Sequence, residues 1–211
     1  MREIDTGLGA TDGVAVFNRV YLQVSEMVRE RLSGHSTFRD EPFIADLDVR
    51  FAGLWFAAHD APVDAVPTVW DPLFEARGDR GVLPIQFALA GMNAHIEHDL
   101  PLAVVRTCEA RRLAPTGVRE DYERVNDLLA GVEAGIRRSF LDELGKAADH
   151  HLGQVAHLVS SWSIDKARDV AWVNVLALWE LRGSWVLGEG YGSALARTVG
   201  MGSRLLLTSL A

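Results

Sequence analysis

Apolar residues recur at steps of three and four along most of the chain, the spacing of a helix face rather than of a strand. Phe17, Val20, Tyr21, Val24, Met27 and Val28 form the first such stripe, and Asp12 is placed to cap its start. A second helix is expected to open at Glu41-Pro42, where proline is tolerated, and to stop near Asp60, ahead of Pro62. Pro62, Pro67, Pro72, Gly78 and Gly81 then interrupt the pattern, leaving room for a short helix from Asp71 to Arg77 with Asp71 as its cap. Pro84 to Arg112 reads as a long apolar helix that Pro101 must kink, freeing the Glu97 carbonyl from its partner.

After the Pro115-Thr116-Gly117 turn comes the clearest stripe: Val118, Tyr122, Val125, Leu129, Val132, Ile136, Phe140 and Leu144, with charges opposite. A shorter helix from Lys146 to Ser160 is expected next. Ser163 would cap another that carries Trp172, Val175, Leu176, Trp179 and Leu181. The glycine-rich end, Gly183 to Gly202, fits a loosely packed last helix. No run alternates with period two. The pattern predicts one all-α domain over residues 1–211, a bundle of six to eight helices, with residues 1–12 a flexible N-terminal segment.

Composition acts mainly by exclusion. A chain of 211 residues, 48% apolar, buries a core without covalent staples. The single cysteine, Cys108, rules out an internal disulfide and a cysteine-based zinc cluster, and its surroundings do not suggest a nucleophile. A net charge of -8 disfavours nucleic acid and anionic membrane surfaces as partners. No window offers the ~18 to 20 apolar residues of a membrane span, and Met1 to Gly13 lacks the pattern of a secretion signal. These features fit a soluble, cytoplasmic protein acting on a small molecule, with a homodimer compatible with so much apolar helix surface. Among 21 basic residues only Lys146 and Lys166 are lysines, the bias of a GC-rich genome.

Chemistry concentrates in the stretch Gly91-Met92-Asn93-Ala94-His95-Ile96-Glu97-His98-Asp99-Leu100-Pro101. On a helix His95 and Asp99 lie about 40° apart, and His98 lies about 60° to the other side of His95. An imidazole and a carboxylate so placed can share a divalent metal such as zinc, or one can orient the other as an acid–base pair. Leu89, Met92, Ile96, Leu100 and Leu102 around them favour a protein-facing position. A second group, Asp48, Trp55 and His59, shares one face within about 40°. Facing helices would bring the two groups together around a cavity. His95 and Asp99 are then the catalytic candidates, and His59, His95, Asp99 and Asp48 the metal candidates. Trp55, Asn93 and His98 would contact substrate. The bland alternatives are a satisfied buried hydrogen bond for His95–Asp99, a C-cap for His59, and helix-to-helix bonding for Asn93 and Gln86. Asp149, His150, His151 and His157 read as solvated, and Trp172 and Trp179 as core.

Glycine-rich phosphate loops, a Gly-x-Ser-x-Gly elbow and Glu-x-x-His units are all absent from the sequence. The Asn93-Ala94-His95-Ile96 block followed by Asp99-Leu100-Pro101 resembles an actinobacterial family of uncharacterised proteins, a domain of unknown function. The likeness extends to Phe87 to Met92, to Phe51 to Asp60 and to the Trp-rich last third, about residues 14 to 190. It implies a bacterial setting and no reaction. The His95–Asp99 spacing is also similar to that of helical zinc phosphoesterases. His59-Asp60 is similar to the pair in helical HD phosphohydrolases, with His35 and His95 in the remaining roles; Ala61-Pro62 stands where that motif continues otherwise. The expected function is a small helical enzyme with a His/Asp site between two facing helices, metal-dependent or acid–base, acting on a fairly apolar metabolite. The alternative is a non-catalytic ligand-binding or assembly protein.

Overall fold

Side-chain oxygens fix where two of the long helices begin. Asp12 Oδ1 accepts from Val14 N at 2.8 Å and Ala15 N at 3.4 Å, opening α2, Gly13–Leu32. Asp40 Oδ1 accepts from Phe43 N at 2.8 Å, opening α3, Glu41–Asp60, with Pro42 in its first turn. The computed structural model describes residues 1–32, 38–146 and 162–209. Its remaining elements are α1 (Arg2–Gly7), a 3-10 turn (Val63–Ala65), α4 (Asp71–Ala76), α5 (Pro84–Ala94), a π turn (His95–Asp99) and α6 (Leu100–Arg111). α7 (Pro115–Lys146), α8 (Ile164–Leu181) and α9 (Trp185–Leu206) follow. With the Pro84–Arg111 run counted as one rod there are eight helices, and no strand, among the described residues. The expected all-α bundle is the fold found.

Several boundaries differ from expectation. The N-terminal residues expected to be flexible form α1, held on α2 by Asn18 Nδ2 donating to the Met1 carbonyl at 2.9 Å. Asp71 is the first residue of α4 rather than its cap; Trp70 stands at the cap with no side-chain bond. Ser163 caps α8 by position only, while Ser184 Oγ accepts from Leu187 N at the start of α9. The helix expected from residue 146 to 160, with Asp149, His150, His151 and His157, lies outside the described residues, as does His35. Among the described residues no helix is long and apolar enough to cross a membrane.

α5 is enclosed on every side: Ile85 through Ala94 are all buried, mainly between α2 and α9. Polar groups on it serve as clamps. Gln86 Nε2 donates to the Leu206 and Thr208 carbonyls, both at 2.8 Å, and Asn93 Nδ2 donates to the Val199 carbonyl and Ser203 Oγ, both at 3.0 Å. Phe17, Trp55, Trp70 and Phe87 belong to one apolar cluster, and Phe43, Leu100, Tyr122 and Trp172 to another. Phe51 and Ile96 pack against both. The site described below sits at that junction.

Cys108 is buried, and burial, followed by the Glu109 charge, pushes its thiol up to about 11. That fits the expectation that it is no nucleophile. Gly91 marks the closest approach of α5 to α2: a Cβ there would stand 2.3 Å from Phe17 Cγ and Cδ2. Alanine normally favours a helix over glycine by ~1 kcal/mol. Here Gly91→Ala is expected to destabilise instead, by about 1–3 kcal/mol through overpacking. Urea unfolding checks this, and an unchanged or raised midpoint would contradict the packing.

Candidate functional site

Proline at position 101 has no N–H to give, and the rod adapts before reaching it. Over His95–Asp99 the helix widens into a π turn, and Leu100 N donates to the His95 carbonyl five residues back. The π turn lies just upstream of Pro101, where a kink or break was expected, in the segment carrying the chemistry. Such widened turns recur at functional sites.

The turn gathers three N–H groups onto one carboxylate. Asp99, only 2% exposed, meets His95 Nδ1 at 3.1 Å and Trp70 Nε1 at 3.1 Å on Oδ2, and His98 Nδ1 at 2.8 Å on Oδ1. Burial by itself would raise the Asp99 carboxyl, but hydrogen bonds and charge from His95 and His98 overcome it and hold the group below its usual value. An ionised carboxylate accepts only, so the nitrogens facing it carry the protons. His95 is itself 2% exposed, and burial moves it below the usual 6.5, opposed by its bond and charge interaction with Asp99. At neutral pH His95 is therefore neutral, with Nδ1–H on Asp99 and a lone pair on Nε2.

That Nε2 has no hydrogen-bond partner among the described residues. Phe51 lies flat on the imidazole, with ring centroids 3.6 Å apart and planes 7° from parallel, and Tyr21 meets it edge-on at 4.4 Å. The Tyr21 hydroxyl is also buried; Ser25, one turn along, interacts with it without meeting full hydrogen-bond geometry, and Ser25 Oγ is directed at Met1 Sδ. Burial, then the Asp48 and Asp99 charges, pushes the Tyr21 phenol well up, so it stays protonated. Both residues line one cavity of about 60 Å³, walled by Phe17, Val20, Phe51, Met92, Ile96 and Arg168 among others. An unpaired buried polar atom costs about 1–3 kcal/mol. Two such groups on residues that line one cavity mark it as a candidate binding site.

Arg168, on α8, is a buried cation without an ion pair among the described residues. Its guanidinium lies over the Tyr122 ring at 4.1 Å, with Nη2 donating to the Tyr122 carbonyl at 2.8 Å and Nε to Asn126 Oδ1.

The sequence candidates divide clearly. His95, Asp99 and His98 come together on the π turn. Asp48 interacts electrostatically with His95 and Tyr21, although its side chain is exposed; surrounding protein raises its carboxyl, and His95 opposes this. Trp55 is fully buried but lies outside the cavity, its Nε1 donating to Asn18 Oδ1 at 3.2 Å. Asn93 faces α9 rather than the cavity, its amide consumed by the clamp described above. His59 pairs with Asp60 at 2.8 Å at the end of α3, with Trp55 and Trp70 standing between it and His95. Among the described residues no group of three or more His, Cys, Asp or Glu comes together to hold a metal, so the four-residue shell expected from the sequence is not assembled. Asp99 spends both oxygens on N–H donors instead. Tyr21, Phe51, Trp70 and Arg168 were not singled out as site residues. A tyrosine within the apolar stripe of α2 signalled that a hydroxyl had to be placed somewhere; for Trp70 and Arg168 the sequence held no comparable signal.

Fold and site define an all-α protein whose distinctive feature is a buried histidine–aspartate pair on a π turn beside an apolar cavity. The chain matches a family of unknown function (DUF5995) over residues 1–209, and it belongs to that family. No curated protein and no solved structure matches it.

A pH dependence follows from His95. Its native pKa is lowered, so just below 6.5 the unfolded chain binds a proton that the folded chain refuses. The stability linked to this group is complete above 6.5 and drains away as pH falls towards the native value. The lowered Asp99 adds a similar loss below 3.8. Urea midpoints measured at about pH 7.5 and about pH 5 should fall more for wild type than for His95→Gln; equal falls would contradict a neutral, buried His95.

Proposed function

We propose that this protein is a proton-transfer enzyme in which His95 acts as general base on a small, largely apolar molecule. The observation carrying the reading is the bare, buried Nε2 of an imidazole whose other nitrogen is tied to an ionised aspartate. In the proposed step Nε2 takes a proton from the bound molecule, the bonding pair stays on that molecule, and Asp99 stabilises the imidazolium that forms. Trp70 and His98 hold Asp99 and keep the imidazole ring in register; they are positioning residues. Tyr21 donates a hydrogen bond to the oxygen where negative charge gathers. The step as proposed is written with protein groups alone; among the described residues no group of three or more His, Cys, Asp or Glu comes together to hold a metal. Asp48 tunes the local field and does not touch the reacting atoms. Side chains lining the cavity must rotate for a ligand to reach Nε2.

An actinobacterial origin, with the Asn93 to Pro101 block as its mark, and a cytoplasmic setting belong to the same reading. They rest on the lysine-poor composition and on the lack of a membrane-spanning helix among the described residues.

The test is proton exchange. Small neutral ketones and hydroxy compounds are incubated with the protein in deuterated buffer, and loss of C–H signal is followed by proton NMR. At least one compound should exchange faster with protein, and His95→Gln should lower that rate by ~10² or more. His59→Gln should leave it unchanged. Equal rates for wild type and His95→Gln, or exchange with none of the compounds, would favour the alternative of a non-catalytic binding protein.

A further inference from the structure

Two polar residues, His95 and Tyr21, together with Arg168 in a mainly apolar lining, specify the ligand more narrowly than "small and apolar". We infer that the cavity binds the hydroxyl end of a small neutral alcohol, with its oxygen between His95 Nε2 and the Tyr21 hydroxyl; this rests on the proton-transfer reading of the same site. Neutral His95 offers a lone pair at Nε2 and needs a donor. The Tyr21 hydroxyl, kept protonated by burial and by the neighbouring carboxylates and next to Ser25, can donate to an acceptor. Their ring centroids are 4.4 Å apart, edge to face, so the two side chains are neighbours on the cavity lining. A single oxygen that both donates and accepts meets the two needs at once, and an alcohol is the simplest group that has one.

Charge argues for a neutral ligand. Asp99 lies behind His95, and Asp48 acts on both His95 and Tyr21, so an anion would approach two carboxylates. Arg168 is the only counterweight among the cavity's described residues, and two of its nitrogens already serve Asn126 and the Tyr122 carbonyl. A cation, in turn, would have to shed its water among Val20, Val24, Met92, Ile96 and Leu129 without a carboxylate in the wall. Size narrows the choice further. The volume of about 60 Å³ is less than half of the ~150 Å³ that holds a benzene ring. The buried end is therefore a short aliphatic chain, not an aromatic ring.

Three probes of one size decide the matter: 1-butanol, butyrate and butylammonium, titrated at neutral pH and followed by methyl NMR. Butanol should bind saturably, with shifts centred on Val20, Val24, Met92, Ile96 and Ile164. Tyr21→Phe should weaken it by about tenfold, and the two charged probes should bind at least about tenfold more weakly than the alcohol. The inference is overturned if butyrate or butylammonium binds as tightly as butanol, if butanol shows no saturable shift, or if a folded Tyr21→Phe binds it unchanged. Should Tyr21→Phe fail to fold, the three-probe comparison on wild type decides alone. Failure here is separable from failure of the parent reading. Exchange activity that depends on His95 without butanol binding sinks only the alcohol; butanol binding without such exchange sinks only the proton transfer.

Discussion

One buried carboxylate organises the centre of this molecule. Asp99 takes an N–H from each of three side chains, two on its own turn and one, Trp70, from 29 residues earlier. A lone carboxylate in such a place would be costly enough to take up a proton. Three donors instead keep it charged, and a charged acceptor dictates which nitrogen of each imidazole bears hydrogen. The tautomer of His95, the direction of its lone pair and the placement of the Trp70 ring are consequences of that single anion.

The geometry of the rod makes the arrangement available. A regular helix through residues 95 to 99 would run into a proline that offers no N–H, and widening the turn ahead of Pro101 resolves the conflict while re-aiming His95, His98 and Asp99. Phe51 and Tyr21 then lock the imidazole ring from the face and the edge. Phe51 also packs against both apolar clusters and Tyr21 belongs to one of them, so packing and chemistry share residues. That sharing has a cost: Nε2 of His95 and the Tyr21 hydroxyl are buried with no partner in full hydrogen-bond geometry among the described residues. Proteins keep such costs where a ligand offsets them.

The helices themselves were legible because period and caps agree. Asp12 and Pro42 mark helix starts by mechanisms that act within four residues, and α2 and α3 begin where those residues place them; the Asp40 cap of α3 was not read from the sequence. His95 and Asp99 were legible for the same reason, since a four-residue spacing is a local fact. The other half of the site was not local. Whether α3 presents Phe51 or His59 to His95 depends on how two helices cross, and about two turns along α3 separate the expected residue from the one found there. Asn93 shows the same limit: its position on α5 was readable, its attachment to the Val199 carbonyl was not. Trp70 reaches Asp99 from a loop whose prolines announced a break in helix and nothing about where the ring would go.

Nitrogen-15 NMR of imidazole-labelled protein tests the central claim most directly, because it reads the protonation of each ring nitrogen of His95. At neutral pH the account requires a protonated Nδ1 and a bare Nε2, with that pattern shifting towards a mixture of tautomers once Asp99→Asn removes the anion. A hydrogen on Nε2 in the native protein, or an imidazolium, would contradict it.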